Sequence, residues 1–333
     1  MPDVALDAHI DARADAPNDT TRDARSPIDH FIFEQLTTRR LAPSPQADAE
    51  TLHRRLSLDL VGLPPTLDEQ FGLRDRIASG EVDAIERAID RLLASPQFGH
   101  RWGRHWLDVA HYADSTGFET DAPRSIWKYR DWVISALNAD LPFDQFVVKQ
   151  LAGDLLPGAT TADRTATGFL LNSPQDGGSE PARLDAVVDR VNTLGVAFLG
   201  LSLACAQCHS HKFDPLSQRE YYELFALINS ADETTLEFAP PAEIARRDAL
   251  NSQLAALVAE RDAYQAKRPP AAATPETNDA TRAIALAAFE EGLKTRNRTI
   301  DELKTKVPQL VSTPVLTKHN GGRVTTTFVR GEF

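Results

Sequence analysis

The chain has 333 residues, a formal net charge of −12, 42% hydrophobic and 25% charged residues. That length gives a prior of about two domains and ample room for a core. The acidic balance argues against a nucleic-acid partner, because a phosphate-binding surface needs Lys and Arg in excess. No apolar run approaches the roughly 18 residues of a spanning helix, so no membrane span is expected in this chain.

Residues 1–25 predict a disordered leader or linker. Asp3, Asp7, Asp11, Asp15, Asp19 and Asp23 recur among Ala, Arg, Thr and Pro with no apolar face to bury. A basic start and an apolar segment are both missing, so no export signal is read here. Helical spacing begins at Ser26-Pro27, an N-cap followed by Pro at the first helical position, with Ile28, Phe31, Ile32 and Leu36 as one stripe. Further helices are predicted over 48–60, 67–79 and 82–94. An aromatic helix follows, carrying Trp102, His105, Trp106, Asp108 and His111. Helices over 126–138 and 143–152 come next, then a Gly-, Pro- and Ser-rich loop from Asn172 to Pro181. A long helix over 183–203 leads to the cysteines, and another spans 217–229. Residues 241–268 and 279–306 read as an antiparallel helical hairpin. The tail turns to period two around Asn320-Gly321-Gly322 and predicts a β-hairpin.

The expected fold class is therefore mainly α: a multi-helix orthogonal domain, an antiparallel helical hairpin and a short C-terminal β-hairpin. The expected divisions are 1–25 leader, 26–238 helical domain, 239–312 helical hairpin, and 313–333 as the start of a downstream domain cut short.

The chemistry concentrates at Cys205-Ala206-Gln207-Cys208-His209, a C-x-x-C-H sequence. This spacing suits covalent attachment of a c-type haem. Two thiols three positions apart form thioethers to the vinyl groups on one porphyrin edge. The next His then supplies the proximal nitrogen to iron. Three alternatives stay open at this point. A thioredoxin-like pair lacks a surrounding βαβ pattern. A zinc site is possible with His211 as a fourth ligand, although four ligands in seven residues is tight. A structural disulfide, or two buried thiols, needs no cofactor at all. Met1 is the only methionine, so thioether ligation from the internal chain is excluded. For the sixth position the candidates are His105, His111, His211 or an open site. Asp108 lies three residues from His105 and could orient it. Asp214 is read as a helix cap or a loop bond. Arg183, Asp185, Asp189 and Arg190 read as surface ion pairs, with an arginine–propionate contact as the weaker alternative.

These residues bring a resemblance into view. The chain resembles the planctomycete-type cytochrome c-associated domain of unknown function. The matching stretches are Pro27-Ile28-Asp29, Arg54 to Pro65, Arg101-Trp102 with His105 to Asp108, and Tyr112 to Ser115. Tyr129 to Trp132, Asp189 to Thr193, and Cys205 to His209 with His211 to Pro215 complete the set. His111 and Ser210 depart from that pattern. The resemblance implies a helical domain carrying a haem c motif, with an upstream cytochrome domain and a downstream domain both missing here. The expected function is a haem-binding electron-transfer or redox module of a larger secreted protein, periplasmic or otherwise extracytoplasmic, with a redox partner protein or domain. Cys205 and Cys208 are the expected anchors, His209 the proximal ligand and His105 the distal one. The rivals are a non-haem scaffold with zinc or no cofactor, and a carbohydrate hydrolase using Asp176, Glu180 or Asp185.

Overall fold

The computed structural model describes residues 26–117, 121–173, 178–268 and 279–332. The expected leader, most of the linker inside the helical hairpin, and Asp176 lie outside the described residues. The described chain forms two compact units, one up to Asp59 together with Leu63–Arg91, the other Leu60–Gly62 together with Leu92 onward. Among the described residues there are twelve α-helices and one two-stranded sheet, so the mainly α class is borne out.

The first unit holds α1 (Pro27–Thr38), α2 (Ala49–Leu60), α3 (Leu67–Ala78) and most of α4 (Ala84–Leu93). Ser26 caps α1 through a reciprocal box with Asp29, and Pro27 stands at its first position. The predicted stripe of α1 is largely not buried: Ile28, Phe31 and Ile32 are exposed. On α2 the buried residues are His53 and Ser57, one turn apart, rather than the leucines. Leu73, Ala84 and Ala88 make the small apolar core of this unit, with Ile77 against it.

The second unit carries α5 (Pro96–Val109), α6 (Trp127–Asn138), α7 (Phe143–Ala152), α8 (Thr161–Ala166), α9 (Glu180–Leu194) and α10 (Gln218–Asn229). Its core joins Ile126, Tyr129 and Val133 of α6, Phe146 of α7, Phe169–Leu171, Val187 and Val191 of α9, and Tyr221 and Phe225 of α10. One buried polar knot threads it. The Trp106 indole and the Tyr129 hydroxyl each donate to Gln150 Oε1 at 2.8 Å. Satisfying these groups is what lets them be buried.

Strand β1 (Ala231–Glu237) follows α10 directly. Helices α11 (Pro241–Gln265) and α12 (Asp279–Lys304) then pack antiparallel, with Tyr264 stacked on Phe289 at 4.9 Å and Glu260 facing Arg296 at 3.8 Å. Strand β2 (Ser312–Lys318) returns to pair antiparallel with β1, Thr234 opposite Val315. The expected strand at the C-terminus therefore forms, but its partner lies before the helical hairpin and not beyond Gly322. The physical reason is burial. Val315 and Leu316 are both buried there, Leu316 within the core of the second unit, and the Thr167 hydroxyl accepts from the Leu316 amide at 2.9 Å. No described helix is long and apolar enough to cross a membrane.

Candidate functional site

The Cys turn is delivered by a sharp reversal. Helix α9 ends at Leu194 and continues as one π-helical turn, Gly195–Leu199. The apolar period persists in sequence to Leu203, but Gly200 takes the left-handed conformation (φ 65°) and stops the helix short of the predicted end. The chain then doubles back, and the Leu201 amide donates to the Gly195 carbonyl at 3.1 Å. A Cβ at Gly195 would stand 2.3 Å from Leu203 Cγ, so only glycine admits this close return.

Leu203 and Ala206 are then buried, which anchors the 3-10 turn Ala204–Gln207 from below. Cys205, Cys208 and His209 consequently face outward, and both thiols are free and exposed. The turn is also held by its backbone. The Gln207 carbonyl accepts from the Tyr222 hydroxyl and from Gln218 Nε2, each at 3.0 Å. His209 Nδ1 lies 2.8 Å from the Ser210 carbonyl. A carbonyl only accepts, so Nδ1 carries a proton, and in the neutral ring Nε2 is the nitrogen with the lone pair.

The following loop is equally organised. His211 Nδ1 accepts from the amides of Asp214 at 2.9 Å and Phe213 at 3.4 Å, and an Asp214 carboxylate oxygen lies 3.2 Å from the same nitrogen. Asp214 does not cap α10. That role belongs to Ser217, in a reciprocal box with Glu220. Val196, Leu199, Leu201 and Phe213, which flank the turn in sequence, are exposed apolar side chains, with Phe213 at 84%.

The sequence-derived candidates thus separate. Cys205, Cys208 and His209 come together on one turn, and His211 shapes the adjoining loop. His105 is exposed on α5, its ring 5.7 Å from that of Trp102, and no described contact joins it to the Cys turn. His111 is also exposed, in the left-handed position just past α5. Asp114 is engaged instead by the Tyr112 hydroxyl at 2.6 Å. Among the described residues no group of three or more His, Cys, Asp or Glu side chains is placed to hold a metal ion.

The ion pairs expected on α9 need correction. Arg183 does pair with Glu180 at 2.7 Å, but Arg190 is buried, with Ser173 Oγ at 3.3 Å and Glu233 of β1 at 3.7 Å. The Arg183 hydrogen bond also holds the Glu180 carboxyl below its ordinary range. A general acid needs the opposite shift, so Glu180 is not set up for that role. Sequence reasoning missed Gln207, Gln218 and Tyr222 as the clamps of the turn, because nothing in their spacing marks a side-chain bond to a distant carbonyl.

No curated protein and no solved structure matches the chain. A family model does, over residues 27–233. That span ends at β1 and includes the reversal, the Cys turn and all of α10. It covers more than half of the chain, which therefore belongs to the PSCyt2 family, described as a protein of unknown function (DUF1549).

Proposed function

We propose that the chain is a c-type haem-binding module that passes single electrons in an extracytoplasmic compartment, as one part of a larger secreted protein. The observation that carries this reading is the presentation of the motif. Two exposed thiols share one short turn with a histidine whose Nδ1–H is tied to a carbonyl and whose Nε2 is free. Cys205 and Cys208 would form the thioethers, and His209 Nε2 would ligate iron. When bound, the haem supplies one-electron redox chemistry. The chain's own part is to fix the anchors, by burying Leu203 and Ala206 and by clamping the Gln207 carbonyl. The Ser210 carbonyl orients the His209 ring and fixes its tautomer, as outer partners of ligating histidines do. The exposed apolar side chains near the turn suit a cofactor that covers a surface rather than filling a deep pocket.

The test is expression with an export signal and haem-maturation factors, followed by a pyridine haemochrome spectrum and intact mass of the denatured chain. One covalent haem per chain is expected, and its loss in Cys205→Ser/Cys208→Ser. A normally matured, folded chain without covalent haem overturns the proposal. Stoichiometric zinc on such a chain would transfer the motif to a metal site.

A further inference from the structure

The Cys turn has a second neighbour besides α10. The segment Phe328–Gly331 lies across it. The Gly331 carbonyl accepts from Gln207 Nε2 at 3.3 Å, and the Phe328 carbonyl from Gln218 Nε2 at 3.5 Å. The Phe328 ring stands edge-on to Tyr222 at 5.5 Å and to Phe225 at 6.1 Å, and it joins the core of the second unit. A Cβ built on Gly331 would lie 3.0 Å from Cys208 Sγ, so the strap's backbone borders that sulfur. Arg330 and Gly331 both adopt positive φ (54° and 77°), the bend that brings the strap down onto the turn. On the neighbouring residue, the Tyr222 hydroxyl of α10 donates to the Gln207 carbonyl. Burial raises the phenol pKa of Tyr221 and Tyr222. No such strap contact is described for Cys205.

We infer that the two thiols of the motif are inequivalent: both are exposed, but the strap Phe328–Gly331, docked on Gln207, Gln218 and Tyr222, crowds one side of the Cys208 sulfur, so Cys205 is the modification site that electrophiles reach first. The electrophile class is a polarised or activated carbon, including a porphyrin vinyl group. In vinyl addition one S–C bond forms and the thiol proton goes to the neighbouring vinyl carbon, so no oxidant is needed. Thioether formation would then proceed at Cys205 first and more slowly at Cys208, beside the strap. The inference deepens the haem reading, but its test needs no haem.

The reduced chain is treated with iodoacetamide, which forms an S–C bond, expels iodide and releases the thiol proton to solvent. Labelling at each cysteine is followed by peptide mass. In the folded chain Cys205 is expected to react about threefold or more faster than Cys208, because the strap hinders one approach to the Cys208 sulfur. In urea the two rates should converge. Phe328→Ala should raise the Cys208 rate to that of Cys205 and leave Cys205 unchanged. Gln207→Ala, which removes a strap bond without touching the core, should move Cys208 in the same direction by less. Equal native rates overturn the inference, as does acceleration of both thiols together in Gln207→Ala. Unequal thiols on a chain that accepts no haem would remove the cofactor and leave the strap.

Discussion

Two histidine-bearing regions of this chain handle polar groups in opposite ways. On the Cys turn, hydrogen bonds are spent on the backbone and on His209 Nδ1, and the reactive atoms are left facing outward. On α2, His53 and Ser57 are buried outright. Among the described residues His53 Nδ1 and Ser57 Oγ have no hydrogen-bond partner, and His53 Nε2 has only an Arg91 nitrogen at 3.5 Å. Burial and the Arg91 charge lower the His53 pKa. An exposed, oriented imidazole is available to a ligand. A buried, unsatisfied one is a weakness of its own unit. The contrast shows why a histidine's surroundings, and not its presence, decide its use.

The comparison can be broken at three points, taken by expected size. Gly195→Ala would drive a methyl group into Leu203 and should cost about 1–3 kcal/mol. Chemical denaturation measures the loss, and the thiol reactivities should change with it, because the reversal at Gly195 is what presents the turn. An unchanged midpoint would show that the doubling-back tolerates side-chain bulk.

Acidification should next find α2. With its pKa lowered in the folded state, His53 takes up a proton more readily when unfolded. Stability is therefore full above the unfolded value near 6.5 and falls as pH drops below it, with a limiting slope of about 1.4 kcal/mol per pH unit. Hydrogen exchange of the α2 amides at pH 5 and 7.5 reads the effect, and His53→Leu should flatten it. An equal pH response in the variant would place the weakness elsewhere.

The smallest effect is expected at the motif itself. Cys205→Ser/Cys208→Ser removes two exposed sulfurs and should change stability by less than about 0.5 kcal/mol. A larger loss in a thermal melt would mean that the thiols serve packing, contrary to their exposure.

Much of the helical framework was legible in the sequence. The expected helices over 67–79, 126–138, 143–152 and 217–229 correspond to α3, α6, α7 and α10 within one or two residues. Apolar spacing and caps such as Ser217 carry that information locally. Strand β1 was not legible, since Ala231 to Glu237 is mostly polar and acquires its conformation from Ser312–Lys318, far along the chain. The end of α9 was misplaced because Val196, Phe198 and Leu201 continue the helical period past Gly195. The motif residues could be named from spacing alone. The bonds that orient them, from Tyr222, Gln218 and the Ser210 carbonyl, could not, because they depend on folded proximity.

The sheet closes a long excursion. Glu237 stands opposite Ser312, and the Phe238 amide donates to the Val311 carbonyl at 2.8 Å, so helices α11 and α12 leave and re-enter at one gate. No residue of α11 is buried. The entropy of closing such an arm grows only with the logarithm of its length. The two strands thus work as a graft point: the arm can be lengthened, shortened or exchanged for a short turn while the paired strands keep the rest of the unit in register.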